Sequence, residues 1–551
     1  MTHPAIPPGD RPHGNPLATR SAAVGRRGLI ATSQALASAE GLRVLQDGGN
    51  AVDAAVTAAA VLAVIEPSMT GIGGDLFALV HDPSTGTVHG LDSCGRAGHR
   101  ARPEVFAARG LATLPSSGPL LVTVPGVVEG WHQLLTRFGT RTLAQVTAPA
   151  IGYAREGFPV AALMAAEWAA EAPRLAQDAA AARTFLPDGR APREGEVFRN
   201  PGLADSLELI ARDGRDAFYR GPLAEAIVAD LAARDGLLDG DDFAAHRADW
   251  VTPIRTSYRG VDLVEMPPST QGFVALQMLN VLEGFDLAAM GHNSADYLHL
   301  VAEAKKLAFA DRAAWLADRE AMPRGVIETL ISKDYAATRR QAIRMDRAGV
   351  HASGIGPAEP RARDFSGADR GDTVYLTVAD RSGLVVSFIQ SLFASFGAGI
   401  VAGNTGITLH SRGSGFTLAD GHPNQIGPGK RPLHTLVPAM LLRDGRPWVS
   451  FGVMGGDNQA QAHAQVVANL VDFGMGIQQA GEAARVRHLD PALAVESGID
   501  AGVRAALEAR GHGLVEGRGQ MGGFQGILID HASGVLLGGS DPRKDGLAIG
   551  F

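Results

Sequence analysis

Apolar and polar positions sort the chain into strand-like and helix-like stretches. Residues 76–81 and 87–92 alternate as two strands around Asp82-Pro83-Ser84-Thr85-Gly86, a turn-forming run. Residues 374–379 and 384–390 predict a hairpin across Asp380-Arg381-Ser382-Gly383. Further strands are expected at 406–409, 438–442, 448–451, 526–530 and 535–537. Helices are expected as a pair between residues 32 and 66, an Ala-rich series through much of 125–245, a long one at 294–318 and another at 459–473. Within the first pair, Gly48-Gly49 can end one helix and Asn50 can cap the next, with Asp53 in its first turn. Residues 54–65 form the most apolar helix and fall short of the ~20 residues a bilayer needs, so a buried core helix is expected. Strands together with long helices predict sheets covered by helices.

Two stretches lack this patterning. Residues 1–27 read as a flexible lead rich in Pro, Gly and Arg, and residues 346–372 as an unusually long linker rich in Gly, Pro, Asp and Arg. The total of 551 residues is more than a usual single domain, and 45% apolar residues are ample for a core. A net charge of −8 and a pI near 6.1, without a basic stripe, argue against a nucleic-acid partner. Cys94 is the single cysteine, which excludes an internal disulfide framework and a multi-cysteine metal site. The start of the chain lacks a basic region followed by an apolar one, so no secretion signal is read, and a cytoplasmic protein without a membrane partner is expected.

The candidate chemistry centres on Thr373, where the linker meets the predicted hairpin. Cleavage before Thr373 would place a nucleophilic hydroxyl and a free α-amine on one residue. Such an amine titrates near ~8 and can serve as the base for its own hydroxyl. Taken alone, Thr373 is as simply read as a β-branched residue opening a strand. Ser391 ends the second strand of the hairpin, so its hydroxyl can lie beside Thr373 and orient it. Gly455-Gly456-Asp457 precedes a helix and would present backbone N–H groups to a developing oxyanion, although a plain glycine turn explains the same residues. Gly71-Ile72-Gly73-Gly74 leads into a strand rather than a helix, which rejects a dinucleotide site. His99, His422, His434 and His463 have no metal-ligand spacing, Cys94 has no local His partner, and no metal or cofactor is expected.

Several ordered motifs identify the chain as resembling the γ-glutamyltransferases, which are self-cleaving N-terminal nucleophile hydrolases. The resemblance runs from about residue 28 to the C-terminus. It is carried by Gly48-Gly49-Asn50-Ala51-Val52-Asp53-Ala54-Ala55, Gly71-Ile72-Gly73-Gly74-Asp75, Val124-Pro125-Gly126-Val127-Val128-Glu129-Gly130-Trp131 and Pro267-Pro268-Ser269-Thr270-Gln271-Gly272. Ala302-Glu303-Ala304-Lys305, Lys430-Arg431-Pro432-Leu433 and Ser540-Asp541-Pro542-Arg543 complete it. The resemblance implies an α/β fold, a four-layer αββα sandwich. It also implies cleavage between Asp372 and Thr373 into a large part, 28–372, and a small part, 373–551, that stay associated and could pair further into a homodimer of heterodimers. Thr373 is similar in position to the family's nucleophile, Ser391 to its second threonine, and Gly455 and Gly456 to its oxyanion pair.

The departures from the family pattern bear on the substrate. The family's arginine followed by glutamate is replaced here by Ser93-Cys94-Gly95-Arg96, and Phe393 stands where the γ-glutamyl enzymes carry an asparagine. Arg412 and Gly415 stand near their glutamine and aspartate, and His434 and Thr435 near their paired serines. The clamp for an amino-acid zwitterion is largely missing, while Arg96 and Arg412 can meet a carboxylate, unless they are surface arginines. The pattern looks more like the branch of oxamate amidohydrolase and the cephalosporin acylases. A cofactor-free amide hydrolase acting on a small-molecule amide is therefore expected. The alternatives are a glutathione hydrolase or γ-glutamyl transferase and, from another class, an uncleaved and catalytically silent binding protein. A nicotinamide-dependent enzyme is a distant third.

Overall fold

The structure is a computed structural model, and it describes residues 18–356, 371–519 and 521–551. The two large sheets are built from β1 (Ala23–Gly25), β2 (Gly28–Thr32), β3 (Asp75–Asp82), β4 (Thr87–Ser93), β5 (Asp249–Val251), β6 (Ile254–Tyr258) and β7 (Val261–Glu265), followed by β8 (Gly371–Asp380), β9 (Val385–Ala394), β10 (Ala439–Arg443), β11 (Arg446–Val453), β12 (Phe524–Asp530), β13 (Val535–Ser540) and β14 (Leu547–Gly550). One sheet runs β14-β2-β8-β9-β3-β4-β5 and the other β1-β13-β12-β11-β10-β7-β6, with every neighbouring pair antiparallel.

The sheets lie face to face between two helical layers. On one side α1 (Ala35–Gln46) covers β2 and β14 while α2 (Ala51–Ile65) covers β8 and β9; on the other, α3 (Gly272–Leu282) and α5 (Asn458–Val471) cover the second sheet, with α4 (Ala295–Trp315) packed against both. Strand parity assigns each residue of β8 its layer. Val374, Leu376 and Val378 pack into the helical core with α2, whereas Tyr375 and Ala379 join Phe77, Leu79, Ile389 and Met440 between the sheets. Thr377 Oγ1 bonds Ser450 Oγ across that gap at 2.7 Å. This is the αββα sandwich expected.

Asn50 caps α2 as foreseen: its side chain accepts from Val52 and Asp53 N–H, and Asp53 returns the bond to Asn50 N–H. All of α2 is buried, and no described helix is long and apolar enough to cross a membrane. Residues 406–409 form only isolated bridges instead of the expected strand, Val401↔Thr408 and Gly73↔Leu409. Left-handed Gly403 and Gly406 interrupt regular pairing there. The linker expected at 346–372 is partly anchored. Glu303 on α4 accepts from Gly349 N–H and pairs with His351 at 2.7 Å, and Asp311 accepts from Gly354 N–H at 2.9 Å. Residues 357–370 lie outside the described residues. Pairing resumes two residues before Thr373, with Gly371↔Ala394 and Asp372↔Phe393, so the Asp372–Thr373 bond lies inside a strand rather than at its start.

Candidate active site

The site is assembled where three neighbouring strands reach the same end of one sheet. β8 and β9 pair in register up to Val374↔Gln390 and resume at Asp372↔Phe393, so Thr373 faces both Ser391 and Leu392 across a bulge. Bulges of this kind re-aim side chains. Ser391 pairs in turn with Asp75 on β3. Parity places all three side chains toward the second sheet. Thr373 is 2% exposed, and its Oγ1 donates to Ser391 Oγ at 3.3 Å. The same Ser391 oxygen accepts from Phe393 N–H at 2.7 Å and lies 3.4 Å from Arg412 Nη2. Phe393 has a φ of +79°, unusual for a residue with a side chain, which fits the distortion at the bulge.

Arg412 comes from the loop after β9 and is fully buried. Its Nη1 donates to Thr435 Oγ1 at 3.2 Å, and its guanidinium lies 4.3 Å over the Phe393 ring. Its Nε has no hydrogen bond among the described residues and lies 4.0 Å from Asp75 Oδ2. Burial lowers the guanidinium's pKa to about 10, with Asp75 opposing the shift. Burial by itself would raise Asp75, but His410, His434 and Arg412 outweigh it and hold its carboxyl well below the usual range. Asp75 is fully engaged: Oδ1 accepts from Gly95 N–H at 3.0 Å, and Oδ2 accepts from His434 Nε2 at 3.3 Å with His410 Nδ1 at 3.6 Å. His434 is held neutral, its pKa lowered to about 3 by burial and then by Arg412.

Gly455 and Gly456 follow β11 and adopt φ of +118° and +57°, conformations that glycine reaches most readily. Neither N–H donates to any described residue. Gln271 ties this turn to the hydroxyl cluster, because its Nε2 donates to Gly456 O at 3.1 Å and to Thr435 O at 3.0 Å. A bonded path thus runs from Thr373 through Ser391, Arg412, Thr435 and Gln271 to Gly456.

Several expectations change. Arg96 is not drawn into this cluster by any bond or ion pair: its guanidinium meets Asp318 at 3.4 Å, Glu320 at 3.5 Å and Asp249 at 3.9 Å. Gly415 has a packing reason independent of any missing acid, since a Cβ there would stand 2.5 Å from Leu433 O. Gly74 likewise admits the Ser391 carbonyl, where a Cβ would collide. Asp75, His410 and Gln271 were not foreseen as site residues; Asp75 and Gln271 stand inside quoted motifs, whereas nothing local marks His410. His434 supports Asp75 from a fully buried position, and His463 bonds Glu265 at 2.9 Å.

Asp75, Cys94 and His434 bring metal-ligand types together, as do His299, Glu303 and His512. The first set already has the Arg412 cation beside its carboxylate, and burial raises the Cys94 thiol's pKa, which disfavours the thiolate a metal needs. In the second, Lys306 occupies Glu303 at 2.7 Å and the two histidines bond each other at 2.8 Å. Their protein partners account for both sets.

Two face-to-face antiparallel sheets between helices, with a strand hydroxyl and a free N–H turn at one end, define an N-terminal nucleophile hydrolase architecture. The family model described as gamma-glutamyltranspeptidase matches residues 37–551. The glutathione hydrolase-like YwrD proenzyme of Bacillus subtilis is 39% identical, over 96% of this chain and 99% of that protein. The oxamate amidohydrolase proenzyme of Klebsiella pneumoniae is 35% identical, over 96% of this chain and 100% of that one. The crystal structure of a cephalosporin acylase from Bacillus halodurans superposes with a TM-score of 0.91 at 39% identity, covering 100% of this chain and 99% of that one. The chain belongs to the gamma-glutamyltranspeptidase family and is an amidohydrolase of the N-terminal nucleophile type.

Proposed function

We propose that this protein cuts itself between Asp372 and Thr373 and then hydrolyses small acyl amides whose acyl group ends in a carboxylate, such as oxamate or glutaryl amides. Arg412 carries the substrate reading. It is a buried cation bonded to Ser391, beside Thr373, while Asp75 has its oxygens engaged and Phe393 covers the guanidinium. An acyl carboxylate gains a charge-assisted partner there, and a glutamyl α-ammonium would meet the same positive charge.

In the first round Thr373 Oγ1 attacks the Asp372 carbonyl carbon, the peptide nitrogen leaves as the Thr373 amine, and water opens the resulting ester. The new amine then takes the Oγ1 proton as the hydroxyl attacks the substrate amide, and passes it to the departing amine. Gly455 and Gly456 N–H face the developing oxyanion, and Ser391 Oγ holds the nucleophile by accepting its hydrogen bond. Water finally releases the acid from acyl-Thr373. Large and small parts stay together because each sheet interleaves their strands: β8 pairs with β2, β9 with β3, and β10 with β7.

The test compares matched γ-glutamyl and glutaryl anilides, with oxamate alongside, by kcat/KM on the matured enzyme. A clear advantage for the γ-glutamyl anilide over both others would return the protein to the glutathione-hydrolysing reading. A chain that stays uncut and turns over none of them would be the silent binding protein.

A further inference from the structure

Buried polar atoms without partners gather around the Gly455–Gly456 turn. Among the described residues they are Gln271 Oε1, both carboxamide atoms of Asn458, and Gln459 Nε2. Two of these side chains keep one end occupied: Gln271 Nε2 donates to Gly456 O and Thr435 O, and Gln459 Oε1 accepts from Val437 N–H. Asn458 has neither end occupied, although it is 0% exposed. It opens α5 directly after the turn, and its backbone N–H donates to Gly455 O at 3.0 Å. Its Nδ2 lies 3.2 Å from where a Cβ on Gly522 would stand, and its Cβ lies 3.6 Å from the same point on Gly455. The side chain therefore starts beside the Gly455–Gly456 turn and reaches the loop at 521–523 with its carboxamide nitrogen.

Natural folds pair almost all such atoms, so an orphaned donor and acceptor on one side chain point to a ligand that both accepts and donates. Water is the smallest ligand of that kind. An acyl-threonine whose carbonyl oxygen rests on Gly455 and Gly456 must be opened by a water arriving beside that turn.

We infer that Asn458 positions the water that hydrolyses the acyl-Thr373 intermediate, an assignment that rests on the acyl-threonine chemistry proposed above. Nδ2 donates a hydrogen bond to the water oxygen, and Oδ1 accepts a hydrogen bond from one of its O–H groups, whose proton stays on that oxygen. The water oxygen bonds to the acyl carbon, the Thr373 Oγ1–carbon bond breaks, and the other water proton passes through the Thr373 amine to Oγ1. The products are a carboxylic acid and free Thr373. Sequence alone hides this residue, because an asparagine opening a helix reads as ordinary capping chemistry.

Asn458→Leu separates this role from a packing role. Replacing an unpartnered carboxamide with an apolar side chain of similar shape is neutral or stabilising for the fold. The expected result with glutaryl anilide is an unchanged or higher Tm, a preserved first burst of aniline and steady turnover lower by ~10- to 100-fold. The small chain should then accumulate as its acyl ester by intact mass, and hydroxylamine should restore turnover. A lower Tm, a burst lost together with turnover, or kinetics like those of the unaltered enzyme would each overturn the assignment. If the leucine variant does not mature, Asn458→Ala is read by the same burst and mass measurements. Failure of the underlying chemistry is distinguishable, since the unaltered enzyme would then show neither a burst nor an acylated small chain.

Discussion

Arg412 and Arg96 sit in surroundings of opposite charge balance. Around Arg412 the facing carboxylate is Asp75, 4.0 Å away and already bonded to Gly95 N–H and His434. Around Arg96, three guanidiniums (Arg96, Arg319 and Arg431) share four carboxylates (Asp92, Asp249, Asp318 and Glu320). The first region has a cation with little left to answer it, whereas the second has more negative groups than positive ones. An arginine is thus a candidate for an acyl carboxylate through the charges that the fold leaves uncompensated around it, and its place in the sequence does not reveal these.

Removing the nucleophile should have the largest effect and leave both regions folded. Thr373→Ala is expected to remain a single chain and to lose amide turnover, as read by intact mass and an anilide assay. A cut Thr373→Ala chain would break the assignment of the Arg412 region as the reactive one.

Ser391→Ala removes the hydroxyl between Thr373 and Arg412. Maturation or turnover should slow by ~10- to 1000-fold, the loss expected for one or two catalytic hydrogen bonds. Unchanged rates of both steps would make that hydroxyl a bystander.

Arg412→Lys keeps a positive charge beside Asp75 but loses the planar fork that reaches Ser391 and Thr435. The kcat/KM for glutaryl anilide should fall by ~10- to 100-fold, as for a lost charge-assisted hydrogen bond. An uncharged acyl anilide of equal length should change by less than about fivefold. Equal losses on the two substrates would remove Arg412 from acyl recognition.

The Arg412 region also has a pH signature. His434 titrates in the folded protein at about 3, because burial and then Arg412 disfavour its charged form. An unfolded histidine titrates near ~6.5, so the unfolded chain binds more protons between these values. The associated stability is complete above the unfolded value and is lost as pH falls toward the folded one, with a slope of about 1.4 kcal/mol per pH unit. His434→Gln should flatten the acid limb by about that slope in denaturant titrations between pH 6 and 4. An unaltered limb would show that His434 is already charged in the folded protein.

Arg96→Gln should have the smallest effect, less than about threefold on kcat/KM, because no bond or ion pair joins Arg96 to the Thr373 cluster, Asp249 keeps Arg319 and Arg431, and Asp318 keeps the Arg431 backbone N–H. A loss specific to carboxylate-bearing acyl groups would reverse the contrast between the two arginines.

Short-range chemistry made a good part of the molecule readable in advance. The Asn50 cap, the largely apolar α2 and the β8–β9 hairpin each depend on residues close in sequence, where helical and strand periodicities apply directly. The hairpin also brings Thr373 near Ser391, because pairing carries the two ends of one turn to the same edge. Packing alone settled the rest. Asp75 joins Ser391 through the β3–β9 pairing, Arg412 arrives from a loop beyond β9, and Gln271 bridges from the second sheet to Gly456. The carboxylates around Arg96 gather from residues 92 to 320, and the bulge at Thr373 appears only once both strands are in place. Charge compensation and close backbone approach are sums over neighbours distant in the chain, so they exist only after the sheets have come together.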